Sequence, residues 1–184
     1  MIYTIARYPV HLIDVVRTFD GSRITIRPSL PQDVELQQAF FRGLSAESRY
    51  CRFLTRMGEL PTALADAFAN VDHRRHLALI AEVFEDGHEV MIGEGRYVVD
   101  ARDPATAEFA LAVADDWHTR GIARALLDRL ELEARANGLS SLVADTLVSN
   151  AAMIALGRRA GFAVRAGHDG MARLEKRLAG QQAA

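Results

Sequence analysis

The chain has 184 residues, enough for one domain, and 22 Lys and Arg against 24 Asp and Glu leave a formal net charge of −2. That balance, without a basic or acidic tail, argues against bulk nucleic-acid binding, and no apolar run approaches the roughly 20 residues of a membrane span. A lone cysteine, Cys51, excludes an internal disulfide and a cysteine-based zinc site and points to a reducing cytoplasm, and the N-terminus lacks the charged stretch and apolar core of a secretion signal.

Residues 1–20 are expected to be an extension. SRITIRP (22–28) alternates as a strand does and ends at Pro28. A helix opens at Ser29 or Pro31, carries Asp33 and Glu35 in its first turns and stops at Gly43. Ser45 suits the cap of a second helix, AESRYCRFLTRM, with Tyr50, Phe53, Leu54 and Met57 on one face. PTALADAFAN forms a short third helix, with proline near its start.

Three strands follow: 75–84 and 89–100 around the turn EDGH, then 106–115. A helix over 119–137 has the apolar stripe Ile122, Leu126, Leu127, Leu130 and Ala134, and Gly138 ends it. A strand over 141–148, the helix NAAMIALGRRA and a hairpin around GHDG complete the order, with 178–184 as a frayed tail. The order predicts one mixed α/β domain, a mostly antiparallel sheet of six to seven strands with helices on both faces.

The stretch FALAVADDWHTRGIARALL (109–127) sets Arg120 and Arg124 at a helix N-terminus, where a cation opposes the backbone dipole. The first four N–H groups of a helix lack partners, and an anion fits there. Gly121 lets a ligand approach the backbone, and Ala123 keeps the next position small. A phosphate or diphosphate is one answer to the two cations. Pairing of Arg120 with Asp115 or Asp116, and of Arg124 with Asp128, is the other. On the strand before the loop, Phe109, Leu111 and Val113 alternate with Glu108, Ala110 and Ala112. The second set describes either a trough with a carboxylate at its end or an alanine surface packed under a helix.

These residues resemble the acyl-CoA signature of the general N-acetyltransferase (GNAT) superfamily: Val113, Arg120, Gly121, Ile122 and Ala123 fit it, with His118 where Gln or Arg is usual. NAAMIALGRRAGF resembles the superfamily's later motif through Asn150, Gly161 and Phe162. DGSRITIRPSLPQDVE, FFRGLSAESRYCRF and the 108–127 stretch are similar to the acetyltransferase domain of bacterial Pat-type protein-lysine acetyltransferases, over about residues 8 to 177. In those enzymes the domain is often fused to another; the expectation here is one domain over 1–184.

The resemblance implies a sheet whose fourth and fifth strands splay apart. The pantetheine arm of acetyl-CoA would pair with backbone near Leu111, Ala112 and Val113. The diphosphate would sit on the N–H groups of Thr119, Arg120, Gly121, Ile122, Ala123 and Arg124, and His118 and Asn150 are included among the coenzyme residues. Glu108 matches the general base. Gly157 stands where many members carry a tyrosine that protonates the leaving thiolate, and no replacement acid can be read from the chain.

Lysine, with an unperturbed pKa near 10.4, needs a base before it attacks a thioester, and apolar neighbours would raise the pKa of Glu108 toward a useful range. Direct acetyl transfer to a protein lysine is the first expectation. A small-molecule amine acceptor and a non-catalytic acyl-CoA-sensing module are the alternatives. Arg42, Arg49, Arg52 and Arg56 form either a docking patch or a solvated helix face, and the histidines of DHRRH (72–76) are not expected to bind metal. No metal, nucleic acid or membrane partner is expected, and the chain would be a cytoplasmic monomer or homodimer.

Overall fold

The computed structural model describes residues 8–178. Eight strands form one sheet: β1 Asp14–Arg17, β2 Arg23–Pro28, β3 His76–Glu85, β4 His88–Val99, β5 Thr106–Val113, β6 Ser141–Leu147, β7 Ala163–Ala166 and β8 Met171–Arg177, in the order β1-β2-β3-β4-β5-β6-β8-β7. Five α-helices accompany it: α1 Val34–Gly43, α2 Ala46–Phe53, α3 Thr62–Ala69, α4 Ile122–Ala136 and α5 Ala151–Arg159. No described helix is long and apolar enough to cross a membrane.

The additional strand is β1, four residues on the sheet edge that pair with β2 from Asp14–Ile26 to Arg17–Arg23. A short, largely exposed edge strand carries too little alternation to stand out from an extension. Two helices are shorter than their periodicity suggests. Leu54 turns left-handed, at φ 55°, and closes α2 at Phe53. Thr119 and Gly121, at φ 61° and 90°, delay α4 to Ile122.

All neighbouring strands are antiparallel except β5 and β6. These two pair only at Thr106–Ser141, Ala107–Leu142 and Glu108–Val143. Beyond that point β5 follows β4 to Val113 opposite Gly93, while β6 follows β8 to Leu147 opposite Met171. A wedge therefore opens in the sheet immediately past Glu108.

The main core lies on the α4 and α5 side, where Leu126, Leu127 and Leu130 pack with Phe109, Tyr97 and Leu174, all nearly or fully buried. Each buried leucine contributes about 1.5–3 kcal/mol, so the stripe outweighs the penalty of about 1 kcal/mol or less for a cation at the start of α4. On the opposite face Ala112 and Ala114 pack near Phe40, Leu44, Ile80 and Met91, and α1 and α3 add Phe41, Ala65 and Phe68.

Candidate active site

The phase of the β4–β5 ladder decides which backbone groups face the wedge. Ala114 N–H donates to Ile92 C=O, which places the hydrogen-bonded pairs at even-numbered residues of β5. Leu111 and Val113 consequently turn their N–H and C=O groups toward β6. Ala112 spends its backbone on β4 and offers the other face only its methyl group. The Val113 carbonyl accepts from His118 Nε2 at 2.8 Å, so the imidazole folds back onto the strand.

The loop after β5 leaves its donors open. Among the described residues, none accepts a hydrogen bond from the backbone N–H groups of residues 119–124, and no side chain caps α4. The two arginines, in contrast, are not unpaired. Arg120 binds Asp20 at 2.7 Å and the Asp116 carbonyl at 2.9 Å and lies over Trp117, 4.5 Å from its ring centroid. The alternative pairing with the Asp115 or Asp116 carboxylate is thus corrected: the partner comes from the β1–β2 turn, distant in sequence. Hydrogen bonds from Thr18 and then Ser22 hold the Asp20 pKa at about 2. Phe19 N–H donates to the Arg120 carbonyl at 3.1 Å, and the Phe19 ring covers Gly121, where an added Cβ would stand 3.0 Å from Cζ. Arg124 pairs with Asp128 at 2.8 Å, as the alternative reading had it, and reaches the Arg159 carbonyl at 3.2 Å. Protein groups therefore answer the two side-chain charges, while the backbone donors remain available.

Glu108 stands at the apex of the wedge. It is exposed rather than enclosed by apolar neighbours, and no described residue pairs with its carboxylate. It shares a face with Ala110 and Ala112, and across the ladder with Val98, Arg96 and Glu94. At α5, Asn150 Oδ1 caps the helix by accepting from Met153 N–H at 3.1 Å, and Nδ2 donates to Thr146 Oγ1 at 3.1 Å. Both ends of that amide are committed to the fold. Gly157 presses on β8: a Cβ there would lie 2.3 Å from Leu174 Cδ2, so Leu174 fills the space a side chain at 157 would enter.

An ion cluster that sequence reasoning missed lies on the same face of the sheet as Glu108, Ala110 and Ala112. Glu94 is buried on β4, between Arg52 of α2 and Arg96. Arg52 places Nε 3.0 Å and Nη2 2.8 Å from Glu94 Oε1, with only Nε aligned to donate. Arg96 Nη2 donates to Glu94 Oε2 at 2.8 Å, Arg96 Nη1 reaches His76 Nε2 at 3.2 Å, and the guanidinium lies 3.3 Å from the Phe68 ring centroid. Burial pushes the Glu94 carboxyl pKa up, but the charges of Arg96 and Arg52 more than reverse this and hold it at about 2. Burial, then Arg96, push the His76 imidazole down to about 4. Arg52 thus belongs to the interior and not to a solvated face, whereas Arg49 binds the carbonyls of Arg42 and Leu44. The signal available in sequence was weak: charged residues inside GEGRY, a strand otherwise apolar.

A sheet that splays between β5 and β6, with open donors where the following helix begins, defines an acyltransferase-type site. The acetyltransferase (GNAT) family model matches residues 39–162, and the chain belongs to that family. An acetyltransferase of Pseudomonas aeruginosa is 31% identical over 160 residues, covering 87% of this chain and 86% of its own length. Acetyltransferase Pat of Mycolicibacterium smegmatis is 32% identical over 139 residues, covering 75% of this chain, which spans only 40% of that protein. Among solved structures, the GNAT domain of S. lividans PAT superposes with a TM-score of 0.86 at 31% identity, covering 94% of this chain and all (100%) of that one.

Proposed function

We propose that this acetyltransferase takes the acetyl group of acetyl-CoA and passes it to a protein lysine amine, with Glu108 as general base. The observation that carries the reading is the place of the wedge: it opens immediately past Glu108, between the exposed carboxylate and the free donors of residues 119–124. The resemblance of the sequence to Pat-type protein-lysine acetyltransferases supports a lysine acceptor, and related folds from Salmonella typhimurium and Sinorhizobium meliloti are solved with acetyl-CoA.

In this reading the N–H groups of residues 119–124 receive the diphosphate, and the Leu111 backbone and the Val113 N–H pair with the pantetheine arm. His118 contributes by fixing the loop to Val113, and Asn150 by fixing the start of α5. The lysine ammonium loses its first proton to solvent before it enters, and Glu108, directly or through a water, takes the second as the nitrogen attacks. The amine nitrogen attacks the thioester carbon, the Leu111 N–H steadies the oxyanion, and the C–S bond breaks. The thiolate, with a pKa near 8.5 by the cysteine value, leaves without an acid from position 157. No acyl-enzyme forms.

Glu108→Gln is expected to lower kcat for lysine peptides roughly 100-fold or more while leaving coenzyme A affinity unchanged. Thiol release, measured with lysine peptides and with small amines, provides the test. Equal turnover in the variant removes Glu108 from the chemistry. Far better turnover of small amines overturns the lysine assignment, and binding without any turnover leaves a sensing module.

A further inference from the structure

We infer that the buried Arg52–Glu94–Arg96 cluster is the electrostatic wall of the acceptor trough, a positioning device whose excess positive charge admits the acceptor as neutral amine and rejects it as ammonium. The inference rests on the acceptor entering the Glu108 face, as proposed above. Arg96 pairs across the ladder with Ala110 and Glu94 with Ala112, so the cluster lies one strand, about 4.8 Å, from the trough's small residues. The guanidinium of Arg96 bridges Glu94 and His76. Through the ladder His76 aligns with Val98, and Val98 with Glu108, so the Arg96 guanidinium reaches toward the Glu108 end of the face through a neutral imidazole.

The side chains of Arg52, Glu94 and Arg96 are 9%, 5% and 5% exposed, so solvent screens them poorly. Two guanidiniums face one carboxylate, leaving one positive charge in excess. Arg96 Nε is buried with no hydrogen-bond partner, and Arg52 Nη2 has Glu94 Oε1 beside it at 2.8 Å. Of the other groups facing Arg96, His76 on β3 is held neutral and α3 presents the Phe68 ring. Asp72, in the segment before β3, is bound to the N–H groups of Arg74, Arg75 and His76. Glu108 on β5 is the base itself. Further out, Arg27 lies between Asp33 and Glu82, so the compensating negative excess lies away from the trough, near the β2 side of the sheet. A cation beside the bound amine disfavours its protonated form, which lowers the pH at which the nucleophile is ready.

The test uses the full chain with acetyl-CoA and a lysine peptide, and as a second acceptor an O-alkyl hydroxylamine that is already neutral at pH 7. Arg96→Met is expected to move the alkaline-rising limb of kcat/KM for the peptide up by about one pH unit and to cost roughly tenfold at pH 7. The hydroxylamine should lose much less, and Arg96→Lys should restore most of the limb. If Arg96→Met does not fold or bind coenzyme A, Arg52→Met carries the same comparison. Coincident pH limbs, or equal losses for both acceptors, overturn the inference. A wild-type protein that binds coenzyme A but transfers to neither acceptor overturns the underlying acceptor reading instead, which separates the two failures.

Discussion

Two helices follow the two strands that splay, and they begin in opposite ways. α5 is finished by its own chain: Asn150 caps it, and the cap is tied to Thr146 on β6. α4 starts after two left-handed residues with no side-chain cap, and the N–H groups of residues 119–124 donate to no described residue. Burial of the Leu126, Leu127 and Leu130 stripe makes α4 stable without that cap. One helix start is thereby closed by its own chain, and its counterpart is left with open donors.

The contrast is broken most severely at Gly121. Gly121→Ala adds a Cβ at φ 90° and 3.0 Å from the Phe19 ring. A loss of coenzyme A affinity of more than tenfold is expected by titration calorimetry, together with about 1 kcal/mol of stability. Arg124→Glu places an anion at the open start, and about tenfold weaker binding is expected at low salt, with the gap narrowing as salt rises. Salt-independent, unchanged affinity would show that no phosphate approaches this end of α4.

At the closed start the expectation reverses. Asn150→Ala should cost about 1 kcal/mol in denaturant unfolding and leave coenzyme A affinity unchanged. A parallel fall in affinity would return Asn150 to the coenzyme site. The smallest effect concerns the buried cluster of His76, Glu94 and Arg96. His76 is neutral in the fold, with its pKa lowered from 6.5 to about 4, so between those values the unfolded chain binds more protons and stability falls as pH drops. Below pH 4.5 Glu94 of the unfolded chain takes up a proton while the folded carboxyl, at about 2, stays ionised, which adds a second decline. Melting temperatures from pH 7 to 4 should show a slope that His76→Gln flattens.

Most of the frame was legible in the chain. Hydrophobic periods of two and near four gave the central strands and α4, because burying a regular face demands a regular spacing. Glu108 was legible by alternation, but its exposure was not, since that depends on which helices cover the neighbouring strands. Edge strand β1 and the left-handed turns at Leu54 and Thr119 left no periodic trace. The partner of Arg120 was out of reach for another reason: Asp20 lies 100 residues away, and only the docking of the β1–β2 turn brings it near.

The amino-acid order alone determined the elements, the family resemblance and a loop with no side chain at Gly121, because these depend on local sterics and on the spacing of apolar groups. Tertiary structure decided the rest. It set the ladder phase that turns Leu111 and Val113 to the wedge, packed Leu174 against Gly157, and gathered Arg52, Glu94 and Arg96 beside Ala110 and Ala112. Those outcomes depend on which distant backbones come within a few ångströms of one another, and no local pattern encodes that distance.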